Sequence, residues 1–234
     1  MRNIVVTGAS KGIGRAIVLK FADEGFAVAA CARNEADLNK LKAGVLAIAP
    51  GLPHIFMSCD MSDKDQVKLF ADKIKADWET VGILVNNAGV FISGQVIDEA
   101  DGTLQKLIDT NLYSAYNMSR QLVVEMIKVK SGHIFNMCSV ASLQAYPNGG
   151  SYSISKFALL GLSKALREEL KPHGIRVTSL MPGATLTDSW AGVGLPESRF
   201  MKADDVAKLI FDIYNLSDST VIEEVVLRPL LGDI

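Results

Sequence analysis

Short β-branched, apolar runs alternate with longer stretches of helical periodicity along the whole chain, and this alternation restricts the fold more than any other feature. Candidate strands are Asn3–Thr7, Ala27–Cys31, His54–Ser58, Ile83–Asn86, Gly132–Met137, Arg176–Leu180 and Val221–Leu227. Several are continuously apolar, as strands covered on both faces are. Candidate helices are Ile13–Glu24, Glu35–Ala49, Lys64–Trp78, Gly102–Val129, Tyr152–Lys171 and Ala203–Tyr214. In the first of these Ile17 and Phe21, with Ala16 and Lys20 beside them, recur at the helical period. Strand and helix joined by short loops imply a parallel sheet with helices on both faces, an α/β architecture. No repeat, low-complexity tract or linker divides residues 1–234, so one domain is expected. Pro50-Gly51, Pro147–Gly150 and Pro182-Gly183 read as loops within it.

Composition narrows the function classes. Of 234 residues, 49% are apolar and 21% charged, with a formal net charge of −2. That balance suits a globular protein with a substantial core, and no basic field recommends nucleic acid as a partner. No apolar run reaches the roughly 18 to 20 residues of a membrane span. Met1-Arg2-Asn3 leads directly into the first strand, leaving no room for a signal peptide, so a cytoplasmic location is expected. Cys31, Cys59 and Cys138 are odd in number and widely spaced, which suits buried thiols rather than disulfides or metal ligands.

The first strand runs into Thr7-Gly8-Ala9-Ser10-Lys11-Gly12-Ile13-Gly14 and then into a helix. Glycine lets a ligand approach the backbone, and the first-turn amides and dipole of a helix favour an anion. The residues Gly8, Ser10, Lys11, Gly12, Ile13 and Gly14 are therefore candidates for holding a dinucleotide's phosphates. The spacing is G-x-x-x-G-x-G rather than G-x-G-x-x-G, and a glycine-rich turn without a ligand is the plainer alternative. Cofactors lacking a 2′-phosphate commonly meet an Asp or Glu about 20 residues past the glycines. Here Cys31-Ala32-Arg33-Asn34 occupies that place, and Arg33 offers a planar cation suited to phosphate. With Lys11 as a second cation, NADP(H) is the expected cofactor; a solvated surface role for Arg33 is the alternative.

In mid-chain, Tyr152 and Lys156 are four residues apart, thirteen residues after Ser139. On a helix they share a face. A free tyrosine titrates near pH 10, too high for efficient base work, and a nearby ammonium would lower that value. Tyr152 is thus a candidate proton donor to a carbonyl oxygen, and acceptor in reverse. Taken singly, a Tyr-x-x-x-Lys pair commonly just stabilises a helix, Ser139 would be a turn residue and Asn111 a cap or buried amide.

With these residues in view, the chain resembles the short-chain dehydrogenase/reductase family over nearly its full length. The resemblance rests on Thr7–Gly14, on Asp60 after the third strand, and on Asn86-Asn87-Ala88-Gly89 after the fourth. Asn111, Ser139, Tyr152 and Lys156 follow in order, then Pro182-Gly183 and Thr187. It implies a Rossmann-type doubly wound sheet of seven strands in the order 3-2-1-4-5-6-7. Asp60, with Met61 beside it, would meet the adenine. Asn87, Ala88 and Gly89 would line the cofactor, and Pro182, Gly183 and Thr187 would touch its nicotinamide end. Tyr152 would be the acid/base, Lys156 would bind the nicotinamide ribose, Ser139 would hold the carbonyl oxygen, and Asn111 would anchor a water leading protons to Lys156. The implied activity is NADP(H)-dependent reduction of a ketone or aldehyde to an alcohol. The family also implies a homodimer or homotetramer through the two long helices. There, Ala158, Leu159, Leu162 and Leu166 can bury a face against a neighbour or against the chain's own sheet.

The substrate end is less constrained. Phe91, Ile92, Leu143 to Tyr146 and Leu186 to Phe200 are candidate walls, and residues 184–202 are read either as a lid or as an ordinary connection. Trp190 and Tyr146 suit a ring-bearing substrate or simple packing. The ending Glu223–Ile234 and the run Ser131–Phe135 are more similar to bacterial sepiapterin reductases and related carbonyl reductases than to 3-oxoacyl reductases, the alternative within the class. A pterin would need an acid for its guanidine-like edge, with Asp188 and Asp233 as candidates. The alternative outside the class is a regulator that senses NADP(H) without turnover.

Overall fold

The computed structural model describes residues 2–190 and 193–234. Seven parallel strands form one sheet: β1 (Asn3–Val6), β2 (Ala27–Ala32), β3 (Ile55–Ser58), β4 (Ile83–Asn86), β5 (Gly132–Met137), β6 (Ile175–Pro182) and β7 (Glu224–Leu227). Their order is β3-β2-β1-β4-β5-β6-β7, the doubly wound arrangement implied by the resemblance. The order reverses beside β1, which pairs with both β2 and β4. A crevice therefore opens beyond the carboxyl ends of β1 and β4.

The strands' period-two alternation sends side chains to two cores. Ile4, Val6, Val28, Ala30, Ile83 and Val85 face the layer of α1 (Gly12–Asp23), α2 (Glu35–Ile48) and α7 (Ala203–Tyr214). Val5, Ala27, Ala29, Cys31 and Leu84 face that of α3 (Lys64–Asp77), α5 (Ser114–Val129) and α6 (Gly150–Leu170). In the first core Phe21 and Phe26 meet edge to face at 5.1 Å, and burying each such ring contributes about 1.5–3 kcal/mol. All three cysteines are buried free thiols. No helix among the described residues is long and apolar enough to cross a membrane.

Two elements differ from the sequence reading. The stretch 102–129 is not one α-helix: α4 (Thr103–Ile108) passes into a π-helical turn, Asp109–Tyr113, before α5 begins. The Ser114 amide reaches back five residues to the Asp109 carbonyl, and the turn carries the buried Asn111 inward. Helix α6 starts two residues early, at Gly150, because a carboxylate from a distant loop receives its first-turn amide.

One core group makes the fold sensitive to acid. On β5, His133 is buried, and its Nε2 lies 2.8 Å from Thr178 Oγ1. The Thr178 hydroxyl donates to the Ile222 carbonyl, so Nε2 carries the ring proton and donates. Nδ1 has no hydrogen-bond partner. Burial, with the Arg176 charge adding to it, pushes the imidazolium pKa down to about 2. The folded chain thus keeps His133 neutral where the unfolded chain, below about pH 6.5, takes up a proton. Stability from this group is complete above pH 6.5 and is lost as pH falls, by about 1.4 kcal/mol between pH 7.5 and 5.5. Urea denaturation at the two pH values, compared between wild type and His133→Leu, checks this; equal pH dependence in both would refute it.

Candidate active site

The crevice is a cleft of about 1040 Å³ running from the glycine turn past β2 and β4 to Tyr152 and the β6 end. Its floor is set by hydrogen bonds between the turns that follow the neighbouring strands β1 and β4. Thr7 Oγ1 accepts from the Asn87 and Ala88 amides at 3.1 and 3.0 Å. Asn87 Nδ2 donates to the Thr7 and Gly8 carbonyls, both at 3.0 Å. The turns after β1 and β4 are thereby locked together. Gly8 has φ +63°, and a side chain there would fall 2.8 Å from Ala88 Cα. At Gly14 it would fall 2.5 Å from Asn87 Nδ2.

Helix α1 starts at Gly12 with no side-chain cap and no acidic residue in its first turn. Unpartnered amides and the positive end of the dipole therefore meet the cleft where Gly8, Ser10, Gly12, Ile13 and Gly14 line it, a donor set that fits a diphosphate. Arg33 is exposed at the end of β2 and lines the adjoining corner. Lys11 lines it too, but its ammonium is shared, 3.1 Å from Asp188 and 3.3 Å from Asp37, and these carboxylates raise its pKa, Asp188 most. Asp60 and Met61 line the wall after β3, Asp60 turned to the Ser62 amide at 3.0 Å. Ala88 and Gly89 line the cleft with Asn87 after β4, and Pro182, Gly183 and Thr187 do so after β6.

At the far end Ser139, Tyr152 and Lys156 converge. Ser139 caps a short 3-10 turn, Val140–Ser142, its Oγ accepting from the Ala141 amide at 3.1 Å. That leaves the hydroxyl hydrogen to be donated toward the Tyr152 phenol. Lys156 Nζ donates to the Met137 carbonyl at 2.8 Å and lies 5.7 Å from the centre of the Tyr152 ring. Burial pushes this ammonium down to about 8. The expectation that it lowers the Tyr152 pKa is overturned: burial raises the phenol's pKa, the Ser139 hydrogen bond opposes that rise, and Cys138 adds to it. The physical reason is that the ammonium points at a backbone carbonyl while the phenol loses its water. Phe91 meets the Tyr152 ring edge to face at 4.9 Å and fixes its plane.

Among the catalytic and cofactor-binding candidates, all of them described residues, only Asn111 lies outside the cleft lining. Its Nδ2 donates to the Val90 carbonyl at 3.0 Å and Ser155 Oγ at 2.9 Å, and its Oδ1 accepts from the Val90 amide at 2.8 Å. Both amide hydrogens are used, so the side chain clamps the segment after β4 to α6 and has none to give a water. Sequence reasoning quoted Thr7 as part of the glycine turn without giving it this role, and missed Ser155 and Ser142, whose hydroxyl accepts from the Ser139 amide at 3.2 Å. Only Thr7, wedged between strand and first glycine, gave any signal.

Of the expected substrate walls, Phe91, Gln144, Tyr146, Thr187, Asp188 and Trp190 line the cleft, whereas Ile92, Leu143, Ala145, Leu186 and residues 193–200 do not. Within 184–202, Thr185 bridges to Met201, the Leu186 amide donates to the Met201 carbonyl at 2.8 Å, and Trp190 packs on Phe200 at 5.3 Å. Residues 191 and 192 of that segment lie outside the described residues. Asp188 pairs with Lys11 of the glycine turn, while Asp233 pairs with Arg228 beside Gly183.

A doubly wound sheet with an uncapped glycine turn at its switch point and a Ser, Tyr and Lys gathered at the cleft's end defines a dinucleotide-dependent oxidoreductase. The short chain dehydrogenase family model matches residues 2–197, and the chain belongs to that family. It is 33% identical to a sepiapterin reductase of Chlorobaculum tepidum, over 99% of this chain and 97% of that one. It is 34% identical to a 3-oxoacyl-[acyl-carrier-protein] reductase of Chlamydia muridarum, over 81% and 76%. Among solved structures it is similar to an alcohol dehydrogenase of the archaeon Thermococcus sibiricus complexed with 5-hydroxy-NADP (TM-score 0.91, 26% identity, 100% and 99% covered). It is also similar to a metagenomic short-chain oxidoreductase in complex with NADP (TM-score 0.85, 32% identity, 98% of each chain covered).

Proposed function

We propose that this oxidoreductase reduces a ketone or aldehyde to an alcohol with NADPH, Tyr152 supplying the proton. The carrying observation is the gathering of Ser139, Tyr152 and Lys156 at one end of the cleft whose other end holds the glycine turn and Arg33. NADPH, when bound, supplies the hydride. First-turn amides of α1 hold its diphosphate, and Arg33, with Lys11, meets the 2′-phosphate. Lys156, close to the space above Gly89, hydrogen-bonds the nicotinamide ribose.

The chain's own groups then handle one proton. The Ser139 hydroxyl turns its hydrogen from the Tyr152 phenol to the substrate's carbonyl oxygen and so orients it. Tyr152, its pKa raised by burial, is a neutral phenol at pH 7 and donates as negative charge develops on that oxygen. The Ser139 hydroxyl, which opposes the effect of burial on the phenol, limits the cost of the phenolate left behind. The described part of 184–202, tied to the glycine turn through Lys11 and Asp188, covers the cofactor and excludes water. The chain acts as a homodimer or homotetramer through α5 and α6, where Tyr116, Val124, Ile154 and Phe157 are exposed.

Within the class the reading favours a sepiapterin-like or related carbonyl substrate. Of the two candidate acids, Asp233 beside Gly183 is better placed than Asp188 for a pterin's guanidine-like edge. Absorbance decay of NADPH with sepiapterin, simple ketones and a 3-oxoacyl thioester tests this. Turnover of sepiapterin at least tenfold above the thioester is the expected result. Ketone reduction without sepiapterin reduction would remove the pterin version, and no carbonyl-dependent decay across the panel would remove the enzyme reading in favour of a sensor.

A further inference from the structure

The loop between β4 and α4 reaches back to the start of the helix that carries Tyr152. Glu99 Oε1 accepts from the Ser151 amide at 2.9 Å, and Oε2 accepts from the Ser151 hydroxyl. Helix α6 has glycine at its N-cap, no side-chain cap of its own and no acidic residue in its first turn. Its orphan amide and dipole are answered by a carboxylate from 52 residues earlier.

The local packing is shaped around that contact. A side chain on Gly150 would collide with Glu99 Oε1 and fall 2.6 Å from the Gly94 carbonyl; one on Gly94 would fall 2.8 Å from Glu99 Cγ. The backbones are bridged between Gly94 and Gly149, with the Gly94 amide donating to the Asn148 carbonyl at 3.1 Å. The same loop carries Phe91, whose ring stands against Tyr152. One loop thus holds the phenol's ring with Phe91 and the adjacent backbone with Glu99.

We infer that Glu99 is a positioning residue for Tyr152: its carboxylate fixes the first turn of α6 so that the phenol faces the substrate oxygen. This rests on Tyr152 as the proton donor. A displacement of about 1 Å at a reacting group can cost 100-fold in rate. The carboxylate also offsets the positive end of the α6 dipole, which otherwise favours the phenolate.

The experiment compares Glu99→Gln, Glu99→Asp, Ser151→Ala and the Glu99→Gln/Ser151→Ala double variant, using whichever ketone the wild type turns over fastest. Readouts are kcat, NADPH binding by fluorescence, thermal midpoint and the pH profile of kcat/KM. Glu99→Gln is expected to lower kcat about tenfold, to leave NADPH affinity within about twofold, and to move the high-pH limb to lower pH by a few tenths of a unit. Glu99→Asp, which keeps the charge, should restore the limb, and Ser151→Ala should add little to Glu99→Gln. A wild-type kcat and pH profile in Glu99→Gln, or a lowered thermal midpoint with both unchanged, would overturn the inference. If Tyr152→Phe stays active the underlying reading fails; if Tyr152→Phe is inactive and Glu99→Gln is normal, only the positioning role falls.

Discussion

Tyr152→Phe is expected to lower carbonyl-dependent NADPH oxidation by roughly 10²- to 10⁴-fold while leaving NADPH affinity within about twofold. The substitution removes one oxygen and little else. The ring's edge-to-face contact with Phe91 survives, and so does the bond from Lys156 to the Met137 carbonyl. Ser139 keeps its bond from the Ala141 amide, and its hydroxyl hydrogen, released from the phenol, can still orient the carbonyl. What disappears is a proton source held at the right place and in its acid form by burial. The residual rate measures orientation and hydride transfer with water as the acid. Steady-state NADPH absorbance with fluorescence titration of NADPH separates the two effects, and turnover within threefold of wild type would refute the assignment.

Arg33→Asp is expected to change cofactor preference by about 10²- to 10³-fold in kcat/KM, away from NADPH and toward NADH. Charge-assisted hydrogen bonds are worth about tenfold or more each, and the substitution replaces such bonds with repulsion of the 2′-phosphate. An acid at this place can instead accept from a ribose 2′-hydroxyl. The backbone stays anchored, since Ser58 Oγ donates to the Arg33 carbonyl at 3.3 Å. Lys11 does not compensate, because its charge is already divided between Asp37 and Asp188. Because Arg33 is exposed, the wild-type preference should also shrink as salt is added. Kinetics with both cofactors at low and at about 0.5 M salt test this, and an unchanged preference in the variant would place the 2′-phosphate elsewhere.

The alternation of strand and helix was legible because it is written in local periodicity. Its seven strands appear with ends displaced by a few residues, as at Val221, where pairing begins only at Glu224. The order of strands came from resemblance, since no local pattern in β1 specifies that it lies between β2 and β4. The cleft residues were legible because the glycines, Arg33 and the Tyr152–Lys156 spacing each state a chemical need. What stayed hidden depends on partners distant in sequence. Asn111 looks like one residue of a long helix until the Val90 backbone claims its amide and a π turn forms. The early start of α6 requires Glu99, which nothing near Gly150 announces. The spacing of Tyr152 and Lys156 gave proximity but not direction, and direction decided which influence governs the phenol.

Gly12 carries φ +52°, and a methyl group placed on it would lie 2.8 Å from Thr187 Cγ2. The bare backbone at that point therefore makes room for a neighbour contributed by the other half of the sheet as much as for any nucleotide. A glycine usually scored as a fingerprint of ligand recognition is here also a record of how two distant stretches of chain fit together. A side chain at this position would meet that neighbour whether or not a nucleotide lay alongside.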